Sequence, residues 1–207
     1  MATAVLFHDA QLYDRDLRLF TTNAWLNDAA IHFYFTVVFH TLCGAPADVL
    51  LMDPAVVSCM MLQCDDDEDL IDLAQGLQLK EKSLIVLPVN DRRSFDSQGS
   101  HWALLVYSTA HGFQFYDSSA DHNFDSAMEV AGVLGRALGL PTDSVVRSVP
   151  CPQQHNAYDC GMYVCMVAEW LCTSHCSKQS LPLAEFVTPT AIQSKRRNMP
   201  SIVDQLK

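Results

Sequence analysis

Residues 150–176 read PCPQQHNAYDCGMYVCMVAEWLCTSHC, and a change of character inside this stretch decides the fold. Through Asp159 it is polar and carries Pro150 and Pro152, the composition of an ordered loop. From Gly161 it turns apolar on nearly every side, through Met162, Tyr163, Val164, Cys165, Met166, Val167, Ala168, Trp170 and Leu171. A run of that length with no further glycine or proline predicts a helix buried on most faces. Cys160 stands where the loop becomes the helix. Unpaired N–H groups and the positive end of the helix dipole favour an anion there, and so a thiolate. Gly161 beside it lets backbone or substrate come close. Cys160 is a candidate nucleophile, with a purely structural thiol as the plainer alternative.

Length and composition bound what such a nucleophile could serve. A chain of 207 residues is read as one domain, 1–207, large enough for a sizeable core. Hydrophobic residues at 49% and charged residues at 18% are those of an ordinary globular protein. A net charge of −11 speaks against nucleic acid as partner, because phosphates need a basic face, and suits a basic protein or peptide. The eight cysteines follow no disulfide framework, and several lie inside apolar runs. No secretory leader is evident, and no run approaches the roughly 18 apolar residues of a membrane span. A reducing, intracellular setting (cytoplasmic and/or nuclear) without membrane attachment is expected.

Outward from the central helix, residues 1–20 are mixed, and the charges at 14–18 read as surface. Asn27 or Asp28 caps an expected helix over 29–42, ended by Gly44 and Pro46, with Trp25 as a hydrophobic staple. Asp53-Pro54 starts another within 52–62. The acidic run at 64–70 reads as the solvated start of a helix and not as a cation site, since it lacks the spacing and glycine of a calcium loop. Residues 83–90 form a buried strand, 91–100 a loop, and 102–107 with 113–116 a hairpin. A helix over 124–139, a strand over 144–149, and two tail helices at 189–197 and 201–206 complete the count. The sum is an α+β domain, a mixed β-sheet flanked by helices, with the nucleophile at the N-terminus of a buried central helix.

The hairpin supplies partners for the thiol. His101 precedes its first strand and Asp117 follows its second, and the midpoint, residue 109, falls in the turn. Antiparallel register therefore brings imidazole and carboxylate together. The carboxylate would fix the ring's tautomer and favour the imidazolium, which could hold a thiolate. Gln154, six residues before Cys160, could donate its amide to a developing oxyanion, with the Cys160 backbone N–H as second donor. Separately, each has a bland reading: a surface His–Asp pair, an exposed loop glutamine. Together they point to a cysteine hydrolase working through a thioester, with His101 as acid and base.

GSHWALLVY at 99–107, FQFYDS at 113–118, QQHNAYDCGMYVC at 153–165 and WLND at 25–28 resemble the ubiquitin-like-protein-specific cysteine proteases, sentrin-specific and adenovirus-type. The resemblance runs from about residue 22 to the C-terminus. Its order is His, Asp, Gln, Cys, unlike papain. SLIVLPVND at 83–91 and KRR at 195–197 are most similar to the deneddylating members. The resemblance implies a triad of His101, Asp117 and Cys160, with Gln154 in the oxyanion hole. It also implies a tunnel for a Gly-Gly tail lined by Trp25, Asp28 and Trp102. Asp28 and Asp91 would attract an arginine just upstream of the glycines. His155 departs from the pattern, with no change of chemistry expected. The implied substrates are the neddylation modifier and its conjugates, such as cullins. The enzyme is expected to be a monomer with no cofactor and no metal. Cys172, His175 and Cys176 have zinc-like character but show no fourth ligand. SUMO as substrate, a thioester-based acetyltransferase of related fold, and an inactive binding module are the competing readings.

Overall fold

The computed structural model describes residues 2–64, 66–94, 96–97, 99–177 and 181–207. Its centre is a five-stranded sheet in the order β3(Val49–Leu51), β4(Leu84–Asn90), β5(Trp102–Ser108), β6(Gly112–Tyr116), β7(Val146–Ser148). The outer pairs are parallel and the inner two antiparallel, so the expected mixed sheet is present. Both faces are covered, which is why β4 reads as continuous apolar sequence. Leu84, Val86, Leu104 and Val106 point to one core, and Ile85, Leu87, Leu105, Phe113 and Phe115 to the other. Pro88 is tolerated because β3 pairs only with Leu84–Val86, leaving that side of Pro88 outside the ladder.

The first core is built with α2(Asp28–Val37) and α6(Cys160–Ser177), the second with α3(Pro54–Leu62), α4(Asp67–Gly76) and α5(Phe124–Leu138). Helix starts follow local chemistry. Asn27 caps α2 by accepting from the Ala30 amide at 3.0 Å, Asp53 caps α3 ahead of Pro54, and Asp66 caps α4. The acidic run thus heads α4 as expected, its Asp65 lying outside the described residues, as do Phe95 and Gln98 of the 91–100 loop. Past Val37 the α2 ladder widens into a π-type turn, Val38–Leu42, ending at Cys43.

Several expectations need correction. Residues 3–21 form a hairpin, β1(Thr3–Phe7) and β2(Ala10–Tyr13), followed by α1(Asp14–Thr21). Within the run read as surface, Asp16 is buried, accepting from the Tyr13 amide and from Asn27 Nδ2 at 2.8 Å. Trp25 is not a staple: it is 45% exposed, while Leu26 is the buried neighbour. The two tail helices are one, α8(Pro189–Gln205), preceded by the short α7(Leu183–Phe186). Pro200 removes one N–H from the ladder, but Ile192, Met199 and Val203, all buried along one side, carry the helix past it. Among the described residues no helix is long and apolar enough to cross a membrane.

Candidate active site

Cys160 is the first residue of α6 and is buried. Its position is fixed by the residue before it. The Asp159 carbonyl accepts from the Met162 and Tyr163 amides at 2.8 and 3.0 Å, closing the first turn. The Asp159 carboxylate accepts from Asn156 Nδ2 at 2.8 Å and from Arg196 Nε at 2.6 Å. Arg196, buried on α8, spends its other donors on the carbonyls of Leu19, Thr22, Ala24 and Tyr158, at 2.6 to 3.1 Å. One guanidinium therefore ties the loop before Cys160 to the segment leading into Trp25. Beside it, Lys195 reaches both carboxylate oxygens of Glu169 at 2.9 Å, and the Tyr34 hydroxyl donates to the same carboxylate. The KRR sequence at 195–197 was legible only as a family likeness. Lys195 ties α8 to α6 and Arg196 ties it to the loop before α6, while Arg197 donates to the Gln193 carbonyl within α8.

Gly161 takes part in a close approach, though to the protein itself. A Cβ there would lie 2.9 Å from Leu26 Cβ, so the glycine lets the 25–28 segment pack on the start of α6.

His101 and Asp117 meet at 2.6 Å, Nε2 to Oδ1. The register is not centred where the sequence suggests. Leu104 pairs with Tyr116 and Ser108 with Gly112, so the ladder is centred on residue 110, and Asp117 faces the position of Ala103. A two-residue offset keeps both side chains on the same face, which is why the pair still forms. Asp117 also accepts from the Ser119 and Asn123 amides at 2.8 and 3.0 Å, while Asn123 Nδ2 holds the His101 carbonyl at 2.8 Å. Burial raises the cost of charge on both groups. Their mutual hydrogen bond outweighs it: Asp117 stays below the usual carboxylate range. Against burial, the hydrogen bond to Asp117, with the Cys160 thiol nearby, raises His101 to about 9. With Nε2 committed to Asp117, Nδ1 is the ring nitrogen left to face the thiol.

A cleft of about 680 Å³ opens over this pair and is lined by Trp25, Asp28, His101, Trp102 and Cys160, among others. Trp102 is buried and donates from its indole to the Leu26 carbonyl at 3.0 Å. Trp25 donates to the Ala157 carbonyl, leaving its ring face exposed. The two carboxylates read as arginine attractors have partners within the chain. Asp28 is ion-paired to Arg92 at 2.8 Å. Asp91 lies off the cleft wall and accepts from the Ser100 amide at 2.6 Å and the His101 amide at 3.2 Å. Gly99, with φ of 66°, is needed there, because a Cβ would fall 1.9 Å from Asn90 Oδ1. Gln154 is likewise off the cleft wall: its Oε1 accepts from Ser118 Oγ at 2.9 Å and its Nε2 donates to the Asn156 carbonyl at 2.8 Å. One of its two amide hydrogens is thus engaged.

Arg92, Asn123, Asp159 and Arg196 had no signal as site residues in the sequence, since key partners (Asp28 for Arg92, His101 for Asn123, Arg196 for Asp159) are distant in sequence. An imidazole held by a carboxylate beside a thiol at a helix start can accept the thiol's proton and return it to a leaving group.

Residues 24–201 match the Ulp1 protease family, C-terminal catalytic domain. Sentrin-specific protease 8 of Mus musculus is 31% identical over 204 residues, covering 97% of this chain and 91% of that protein. NEDD8-specific protease 1 of Arabidopsis thaliana is 31% identical over 169 residues, covering 80% of this chain and 74% of its own length. The solved C-terminal Ulp1 protease domain in complex with Smt3, the yeast ortholog of SUMO, has the same fold. It covers 100% of this chain and 89% of that one, with a TM-score of 0.76 at 18% identity. These matches bear out the cysteine-type peptidase reading over the acetyltransferase alternative, and the chain belongs to the Ulp1 protease family.

Proposed function

We propose that the protein cleaves after the C-terminal Gly-Gly of a ubiquitin-like modifier, and that its preferred modifier is NEDD8. The observation that carries the reading is the 2.6 Å His101–Asp117 pair opening, with Cys160, into a cleft bordered by two indoles. Similarity to proteases named for NEDD8, over most of the chain, supports the choice of modifier.

In this reading His101 holds the proton from Cys160, whose Sγ attacks the carbonyl of the terminal glycine. The oxyanion is met by the Cys160 backbone N–H and the remaining amide hydrogen of Gln154. Collapse expels the amine, protonated by His101, and leaves a thioester. Water, deprotonated by the same ring, then hydrolyses it. Trp25 and Trp102 enclose the tail so that only glycines pass. Asp28 meets an arginine upstream of them by exchanging its partner Arg92, and Asp91 acts by holding the loop that carries His101. Residues 1–207 work as one catalytic unit, a monomer, on NEDD8 conjugates such as cullins. A reducing compartment, cytoplasmic and/or nuclear, keeps the thiol competent.

A second reading, SUMO as substrate, is favoured by the likeness to the Smt3-bound Ulp1 domain. The two are separated by offering NEDD8, SUMO and ubiquitin probes with a C-terminal thiol-reactive group to wild type and Cys160→Ala. Labelling by NEDD8 alone, lost in the variant, is expected. Preferential labelling by SUMO would overturn the specificity.

A further inference from the structure

We propose that Cys43, Cys172 and Cys176 form a Zn²⁺ site, separate from the catalytic cleft and bridging two core elements. Sequence spacing brings Cys172 and Cys176 together as residues one turn apart on α6, with His175 between them. The fold supplies what that trio lacked. Cys43, at the end of the π-type turn that follows α2, brings its sulfur to the α6 pair, and the three Sγ atoms all lie within 4.8 Å of one another. None of the three is in a disulfide, so all are available as thiols.

Three features favour an ion over a chance cluster. Zinc at about 2.3 Å from each sulfur in a tetrahedral site needs sulfurs about 3.8 Å apart, a small contraction from the observed limit. The donors are graded from buried Cys172 through half-buried Cys43 to exposed Cys176, which gives the ion a path in from the surface. The set is all sulfur, which selects a thiophilic ion and excludes magnesium and calcium.

His175 is not the missing ligand, because its Nε2 is turned to Asp48 Oδ2 at 3.0 Å and Ser83 Oγ at 3.4 Å. Among the described residues no fourth donor joins the cluster, so water takes the fourth position on the Cys176 side. Binding would displace the thiol protons to solvent and tie the C-terminal half of α6, whose first residue is Cys160, to the end of α2. An ion that binds only the folded chain raises its thermal midpoint.

The test uses reduced, metal-free Cys160→Ala protein, so that the nucleophile adds no thiolate. Co²⁺ titration should give a thiolate charge-transfer band saturating at one equivalent, and Zn²⁺ competed against a chromophoric chelator should raise the thermal midpoint. Cys43→Ser and Cys176→Ser, each added to this background, should weaken Zn²⁺ binding by at least about a hundredfold, since loss of outer-shell partners alone costs 10–100-fold. Cys59→Ser, on α3, should leave it unchanged. Absence of the band, or a band that survives Cys43→Ser, overturns the site. If the serine variants do not fold, X-ray absorption of the Zn²⁺-loaded Cys160→Ala protein decides: three sulfur neighbours support the proposal, and two or fewer refute it.

Discussion

Replacing Arg196 with methionine should cost the fold about 3–5 kcal/mol, the range for breaking a buried ion pair by deleting one partner. Arg196 and Asp159 side chains are 6% and 5% exposed, and their contact is 2.6 Å. Methionine fills most of the volume but leaves the Asp159 carboxylate with Asn156 as its remaining side-chain donor and frees four carbonyls. Total stability is on the order of 5–15 kcal/mol, so the loss is a large fraction of it. Urea unfolding followed by tryptophan fluorescence gives the number. Asp159→Asn, which keeps shape and removes the charge, should be coupled to Arg196→Met by about 1–3 kcal/mol in a double-mutant cycle. Folded Arg196→Met should also lose about a hundredfold in kcat/KM, because Asp159 no longer fixes the backbone at Cys160. A loss below about 1 kcal/mol with no coupling would refute the clamp, since exposed pairs are worth no more than that.

His101 is raised from its ordinary 6.5 to about 9, so its charged form stabilises the fold fully below pH 6.5, and that contribution is lost as pH rises through about 9. Thermal midpoints of wild type minus His101→Gln should therefore shrink over this window, and a difference that grows with pH would contradict the assignment. Asp117→Asn should lower kcat on the order of 10²–10⁴-fold with little change in KM, read from steady-state kinetics on a modifier with a fluorogenic C-terminal amide. Gly99→Ala should cost activity more than global stability, because the added Cβ strikes Asn90 at the end of β4 and Asp91 at the start of the loop before His101. Equal kinetics in that variant would remove the loop from the account. Trp25→Ala should raise KM while leaving the urea midpoint near wild type, as fits an indole 45% exposed.

The core of the fold was legible because it is periodic. The apolar run after Cys160, the continuous β4 strand and the hairpin all declare themselves within a dozen residues. The His101–Asp117 pair survived a misplaced hairpin centre because side-chain parity repeats every two residues. What stayed hidden depends on distant partners. Nothing local distinguishes Asp16, buried against Asn27, from the exposed charges around it. Arg196 looked like one of three tail cations, yet its acceptors lie at 19–24 and 158–159. Cys43 is more than a hundred residues from Cys172, so the triangle of thiols exists only in the folded chain. Pro200 misled in the other direction: a local breaker is overridden by a buried helix face.

In the proposed reaction Cys160, activated by His101, attacks the carbonyl of the terminal glycine. Initial rates on NEDD8 carrying a fluorogenic C-terminal amide, measured for wild type, Cys160→Ala and His101→Ala, test it directly. Each variant should fall by at least about 10³-fold while still binding NEDD8, as members of one catalytic unit do. Retention of a tenth or more of the wild-type rate in either variant would contradict it.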